Sequence, residues 1–271
     1  MQLTKTTVGA IAALSLVPSV ALAATINGGP GNERLKGTRF ADHIDGNAGN
    51  DRILGLAGDD VLIGGPGNDR VWGGRGNDDI SGVQGNDRLY GGAGDDHVVG
   101  DANGTGDLTS FDLIDGGPGN DNLQGGDSRD RISGGRGNDI SNGENGNDRM
   151  SGGPGDDTQN GGDGNDRIFA NLGQDTSFGG PGNDDLWALA RGDVHPGPNG
   201  EVDTQGDTLD GGPGDDRFHT RDGEIDHITC GDGNDVVLAD TVDVVDSSCE
   251  KVVRKAPRGN RASEEDHQPQ S

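Results

Sequence analysis

The sequence predicts an all-β chain coiled into a parallel β-roll, a right-handed solenoid with two nonapeptides in each coil. Three observations predict it. First, a nine-residue unit returns in phase: Gly28-Gly29-Pro30-Gly31-Asn32-Glu33-Arg34-Leu35-Lys36 recurs as Gly64-Gly65-Pro66-Gly67-Asn68-Asp69-Arg70-Val71-Trp72, and again from Gly91. Second, each unit divides into a six-residue turn rich in glycine and a triplet whose middle residue is apolar. In the first run these are Leu35, Ile44, Ile53, Leu62, Val71, Ile80, Leu89 and Val98, and strand alternation turns their neighbours outward. Third, the composition denies the chain an ordinary core, with 54 glycines, 28% hydrophobic and 3% aromatic residues and a net charge of −27 over 271 residues. Ordering the backbone costs roughly 1–2 kcal/mol per residue, more for glycine, and so few apolar side chains cannot offset that by burial alone. Isolated triplets would not persist, but stacked coil upon coil they form two parallel sheets with the apolar residues between them. The longer coils of an ordinary parallel β-helix fit this regular alternation less well.

Along the chain, residues 1–23 read as a signal peptide. Lys5 precedes an apolar stretch from Val8 to Val17, Pro18 breaks it, and Ala21-Leu22-Ala23 has the small-x-small pattern of a cleavage site. That stretch is too short to span a bilayer, so the expectation is a secreted, extracellular product with no membrane span. Residues 24–99 form the first block of the roll, with Ile26 placed to cover its open end. Residues 100–115 read as an inserted loop, 116–187 as the second block, and 188–201 as another inserted loop. Residues 202–250 are looser carboxy-terminal repeats carrying Cys230 and Cys249, which in an exported chain are expected to pair as a disulfide cap. Closing a loop of that length stabilises a fold by about 3 kcal/mol. The polar, charged segment 251–271 reads as a disordered tail.

The sixth position of the unit carries the chemistry. It is a carboxylate in Asp42, Asp51, Asp60, Asp69, Asp78, Asp87 and Asp96, then in Asp121, Asp130, Asp139, Asp148, Asp157, Asp166, Asp175 and Asp184, and again in Asp216 and Asp235. Coiling stacks these acids in two columns at the strand spacing of about 4.8 Å, where they repel. A hard divalent cation removes the conflict. Ca²⁺ takes six to eight oxygens, and glycine turns expose carbonyl oxygens beside each carboxylate; Mg²⁺, octahedral and reluctant to lose water, suits them less well. The acidic excess, 48 Asp and Glu against 21 Lys and Arg, also argues against nucleic acid as a partner.

Over roughly residues 28–238 the units resemble the G-G-x-G-x-D-x-U-x repeat of the RTX, or hemolysin-type, calcium-binding proteins. The resemblance implies Ca²⁺ ions held between successive turns on the same side by backbone carbonyls and by the sixth-position aspartates of both turns. Asp51 would then share an ion with Asp69, and Asp60 with Asp78, giving on the order of a dozen ions in all. Glu33 in place of the first Asp, Phe40 and Ser128 in place of the fourth-position glycine, and Ala170 in place of a first glycine weaken the expectation at their turns.

Two further patterns follow from the 18-residue coil. Arg34, Arg52, Arg70 and Arg88 fall in one outward column, interleaved with Trp72 and Tyr90 two positions on. If the first insert is only an enlarged turn, Arg131, Arg149 and Arg167 continue that column. This is either a docking face for an extracellular anionic polymer or cell-surface component, or a set of arginines paired with neighbouring acids. On the other sheet, Ser141, Gln159 and Ser177 occupy inward positions; either they form a buried polar column or the strands shift so that Ile140 and Phe178 turn in. Periodicity accounts for the carboxylates without catalysis, and no nucleophile has a recognisable setting, so the chain is expected not to be an enzyme. The leading expectation is a calcium-binding structural or interaction protein. The alternatives are an adhesive module using the arginine face and an enzyme or toxin-related protein.

Overall fold

The computed structural model describes residues 23–101, 110–188 and 206–256. Among these the chain forms two parallel twelve-stranded sheets, with successive strands assigned alternately to one and the other. One coil is therefore two strands and two turns, and a strand pairs with the strand two places on. Ile44 lies opposite Leu62, which lies opposite Ile80, so the register repeats every 18 residues as the sequence period requires. The architecture is a parallel β-roll.

The apolar middle residues point between the sheets. Ile44, Ile53, Leu62, Val71, Ile80, Leu89 and Val98 are fully buried, and Ile26 and Leu35 pack against them at the open end. Turns on the same side of the roll sit directly on one another, which explains the fourth-position glycine. Gly67 has φ +153°, and a Cβ there would overlap the carbonyl oxygen of Gly49 in the coil before it.

Both inserts leave the register intact. Leu89 pairs with Ile114 and Ser177 with Leu209, so the extra residues are absorbed between strands while the coil closes as before. Residues 110–115, read from sequence as part of an inserted loop, include the start of the strand Leu113–Pro118, and Ile114 is buried. At the carboxy-terminal end, the expectation of a disordered tail from 251 is corrected for its first residues. Lys251–Arg254 is a strand paired with Val236–Ala239, because Val252 and Val253 prolong the strand pattern beside Val237 and Leu238. The rest of that expected tail from 257, and the expected signal peptide up to residue 22, lie outside the described residues. Cys230 and Cys249 are joined, with Cα atoms 5.1 Å apart, tying the last turn to a fully buried position in the core.

The structure also decides the polar column. Ser141, Gln159 and Ser177 are buried, while Ile140 and Phe178 are exposed, so the strands keep their register and leave polar side chains in the core. Ser177 donates a hydrogen bond to Gln159 Oε1 at 3.3 Å, whereas Ser141 Oγ and Gln159 Nε2 have no partner. Among the described residues two apolar cores result, one ending at Ile168 and the other beginning at Leu186.

Candidate metal centre

Each sixth-position carboxylate is drawn into the roll by a backbone donor one coil away. Asp60 Oδ1 accepts the Asp42 N–H at 2.7 Å, Asp78 Oδ1 the Asp60 N–H at 2.9 Å, and Asp69 Oδ1 the Asp51 N–H at 2.7 Å. The same link joins Asp69 to Asp87, Asp78 to Asp96, Asp96 to Asp121, Asp121 to Asp139 and Asp139 to Asp157. It continues through Asp130, Asp148, Asp166 and Asp184 on one side and Asp157 and Asp175 on the other, and Asp216 and Asp235 extend the first of these columns. Asp51 and Asp69 are thus on successive turns of one side, and Asp60 and Asp78 on successive turns of the other.

The second oxygen is different. Oδ2 of Asp51, Asp60, Asp69, Asp78, Asp87 and Asp96 is buried without a hydrogen-bond partner, and so is that of Asp121, Asp130, Asp139, Asp148, Asp157, Asp166, Asp184, Asp216 and Asp235. Except at Asp235, whose unit begins with Cys230, these atoms face the first glycine of their own unit. A Cβ on Gly64 would lie 2.5 Å from Asp69 Oδ2 and 2.9 Å from the carbonyl oxygen of Gly82, and one on Gly125 would lie 2.8 Å from both Asp130 Oδ2 and the Gly143 carbonyl oxygen. Bare carboxylate and carbonyl oxygens converge where the absence of a side chain leaves room, the oxygen-only donor set a hard cation requires. Asp42 departs from this pattern: the Thr38 N–H and hydroxyl bond its carboxylate, in the turn where Phe40 replaces glycine.

The structure adds acids that the sequence reading missed. Asp112 stands in the first column between Asp87 and Asp130, while Asp207, Asp226 and Asp243 extend the second beyond Asp175. Their turns lack the full glycine signature. What they retain is an acid two residues before a buried apolar residue, as in Asp112-Leu113-Ile114, Asp207-Thr208-Leu209 and Asp226-His227-Ile228.

Burial, and then the like charge of neighbouring coils, pushes these carboxyls up against the pull of the backbone N–H: Asp69 to about 6, Asp78 to about 7, Asp87 to about 8, Asp112 to about 9 and Asp148 to about 8. An acid whose pKa is higher folded than unfolded favours the fold while it is protonated in both states. That contribution is complete below about pH 4 and is lost as pH rises through about 6–9. A proton is therefore one way of neutralising these carboxylates, and a bound cation would be another. In metal-free buffer the far-ultraviolet β signal is expected to be stronger at pH 4 than at pH 8; an equal or weaker signal at pH 4 would mean that carboxylate repulsion does not govern the metal-free chain.

The arginine column stays in line across the first insert, interrupted there by Leu113. Arg34, Arg52, Arg70 and Arg88 are paired in register, Leu113 follows, and Arg131, Arg149 and Arg167 continue the line to Asp185. Among the described residues the one arginine–carboxylate pair on this face is Arg167 with Asp185, at 3.5 Å. Trp72 stacks on Tyr90 with centroids 5.4 Å apart, and the Arg52 guanidinium lies 4.8 Å from the Trp72 ring centre. At the edge of the face, Arg70, Arg88, Arg131, Asn68 and the exposed Phe111 border a groove of about 450 Å³.

No curated protein matches the chain. The family model of the RTX calcium-binding nonapeptide repeat matches residues 27–62, 47–80, 54–87, 76–103, 115–150, 151–186 and 203–224. Together these stretches cover well over half of the chain and contain most of both carboxylate columns, and the chain belongs to the RTX calcium-binding nonapeptide repeat family.

Proposed function

We propose that this protein is an extracellular structural or interaction protein whose roll closes when Ca²⁺ fills its two carboxylate columns. The observation that carries this reading is the run of buried, unpartnered Oδ2 atoms facing glycine carbonyls. Each ion would sit between successive turns of one side, with Asp51 and Asp69, or Asp60 and Asp78, supplying carboxylates to the same ion. On the order of a dozen ions would be taken up, with the turns of Asp42 and Ser128 contributing least. The ions supply charge neutralisation and cross-linking of coils rather than chemistry, so the reading is structural and not catalytic. Export is supported by the pattern of residues 1–23 and by the paired cysteines. Far-ultraviolet circular dichroism during a Ca²⁺ titration tests the proposal, and a spectrum indifferent to Ca²⁺ would end it.

A second reading is favoured by the near-absence, among the described residues, of ion pairs along the arginine column. Uncompensated guanidiniums repeated at about 4.8 Å beside stacked aromatics suit an extended anionic polymer or cell-surface component charged at similar intervals. Burial and the like charges of Arg131 and Arg167 already lower the Arg149 pKa, a strain that an anion would relieve. Retention of the protein on a uronate or sulfated polysaccharide column in Ca²⁺ is expected to fall at least about tenfold in Arg52→Ala/Arg70→Ala/Arg88→Ala, with Ca²⁺ uptake unchanged. If the wild type passes such columns unretained, the face is simply solvated.

A further inference from the structure

Near its carboxy-terminal end, one coil before Asp243, the second carboxylate column passes through a turn built differently from the repeats. Between the strands Arg217–Thr220 and His227–Asp232 the chain runs Arg221-Asp222-Gly223-Glu224-Ile225-Asp226, where the repeat would place its paired glycines and single aspartate. Oxygens of Asp222, Glu224 and Asp226 all lie within 4.8 Å of one another. That span fits within twice the Ca²⁺–oxygen distance of about 2.3–2.6 Å, so three carboxylates can reach one ion.

Asp226 is fully buried, and its Oδ2 has no hydrogen-bond partner; Asp222 Oδ2 is likewise buried without one. Asp226 Oδ1 is already used by the Asp207 N–H, so Oδ2 is the oxygen left to face the cluster. Two nearby arginines are engaged with backbone carbonyls. Arg254 donates to the backbone carbonyls of Asp240 and Asp243, and Arg221 to the carbonyl of Ala256, while the like charges of Asp222, Asp243 and Glu224 all act on Asp226.

We propose that Asp222, Glu224 and Asp226 form a separate Ca²⁺ site near the carboxy-terminal end of the second column. It extends the calcium reading of the roll but does not need the glycine turns. In a repeat site each aspartate is shared between ions above and below, whereas here Asp222 and Glu224 belong to one ion alone. Affinity in all-oxygen Ca²⁺ sites rises with the count of charged ligands, so this site fills before the repeat sites. The donor set contains neither nitrogen nor sulfur, which favours Ca²⁺ over transition metals.

Equilibrium dialysis of the full chain against rising free Ca²⁺, compared with Glu224→Gln and Asp222→Asn, tests this. Neither residue is a sixth-position acid, and circular dichroism at saturating Ca²⁺ checks that each variant reaches the wild-type spectrum. The expected result is loss of the first ion to bind, with its affinity lowered about tenfold or more, while the later ions bind as before. An unchanged first binding step in both variants overturns the proposal, and so does a loss spread over all the ions. If the wild type binds a single ion that Glu224→Gln removes, the repeat columns fail as calcium sites while this one stands.

Discussion

Titrated with Ca²⁺, the protein is expected to pass from a largely disordered chain in chelator to a β-rich roll, steeply and in the micromolar to millimolar range, with Mg²⁺ unable to substitute. The electrostatics of the two columns make this the largest effect in the molecule. Adjacent unit charges at the strand spacing of about 4.8 Å repel by about 1 kcal/mol even at the dielectric of water, and by about 3 kcal/mol at an effective value of 20. About twenty neighbouring pairs of this kind run up the two sides of the roll, from Glu33 through Asp112 to Glu250 and from Asp42 through Asp207 to Asp243. The sum exceeds the roughly 5–15 kcal/mol of net stability that a domain possesses, and these cores are thin. Partial protonation relieves part of the repulsion at neutral pH, but only by keeping groups such as Asp87 and Asp112 un-ionised. Each ion binding the roll but not the unfolded chain adds about 2.7 kcal/mol at a concentration 100 times its Kd, so several ions acting together outweigh the deficit. Circular dichroism with Mg²⁺ as control measures this. A β-rich spectrum in excess chelator, or disorder persisting at about 10 mM Ca²⁺, is the outcome that rejects it.

The parts legible in the sequence were those written in every unit. Glycine at turn positions, an apolar residue at the eighth position and an acid at the sixth repeat so often that register, sheet assignment and both columns follow from the period alone. Asp112, Asp207 and Asp226 escaped because glycine is missing from the first, second and fourth positions of the unit before them. A coil needs glycine where turns stack tightly, but an enlarged turn can reach the same aspartate position by another path, and the backbone link from the preceding coil is kept. Val252 and Val253 were hidden for a related reason, lying after the last recognisable unit and beside a charged segment. The fate of Ser141, Gln159 and Ser177 could not be read at all: two registers satisfied the local pattern, and only the ladder above and below, from Leu123 to Leu209, fixes which face is inward.

That column supplies the second large effect. Replacing Ser141→Ala, Gln159→Leu and Ser177→Ala together is expected to stabilise the calcium-loaded roll by about 2–4 kcal/mol. The substitutions stay close to the original size, since alanine has one heavy atom fewer than serine, and leucine has one fewer than glutamine while its methyl groups are bulkier than the amide, so the coils need spread little. What they remove is a buried amide nitrogen and a buried hydroxyl without partners, together with one weak 3.3 Å hydrogen bond. Each unsatisfied buried group costs about 1–3 kcal/mol, more than the net value of about 1 kcal/mol of the bond that is lost. The three sites are successive neighbours in one column, so their effects couple and the triple variant is the fair comparison. Apolar side chains there would also bridge the core ending at Ile168 to the one beginning at Leu186. In a solenoid, where each coil holds only its neighbours, a weak stretch lets the two halves open separately, and a continuous core couples them. Thermal unfolding in saturating Ca²⁺ is therefore expected to move to higher temperature and to sharpen. If instead the triple variant melts lower, the polar column is satisfied in solution by water held between the sheets, and the division of the core is a hydrated seam rather than a packing defect.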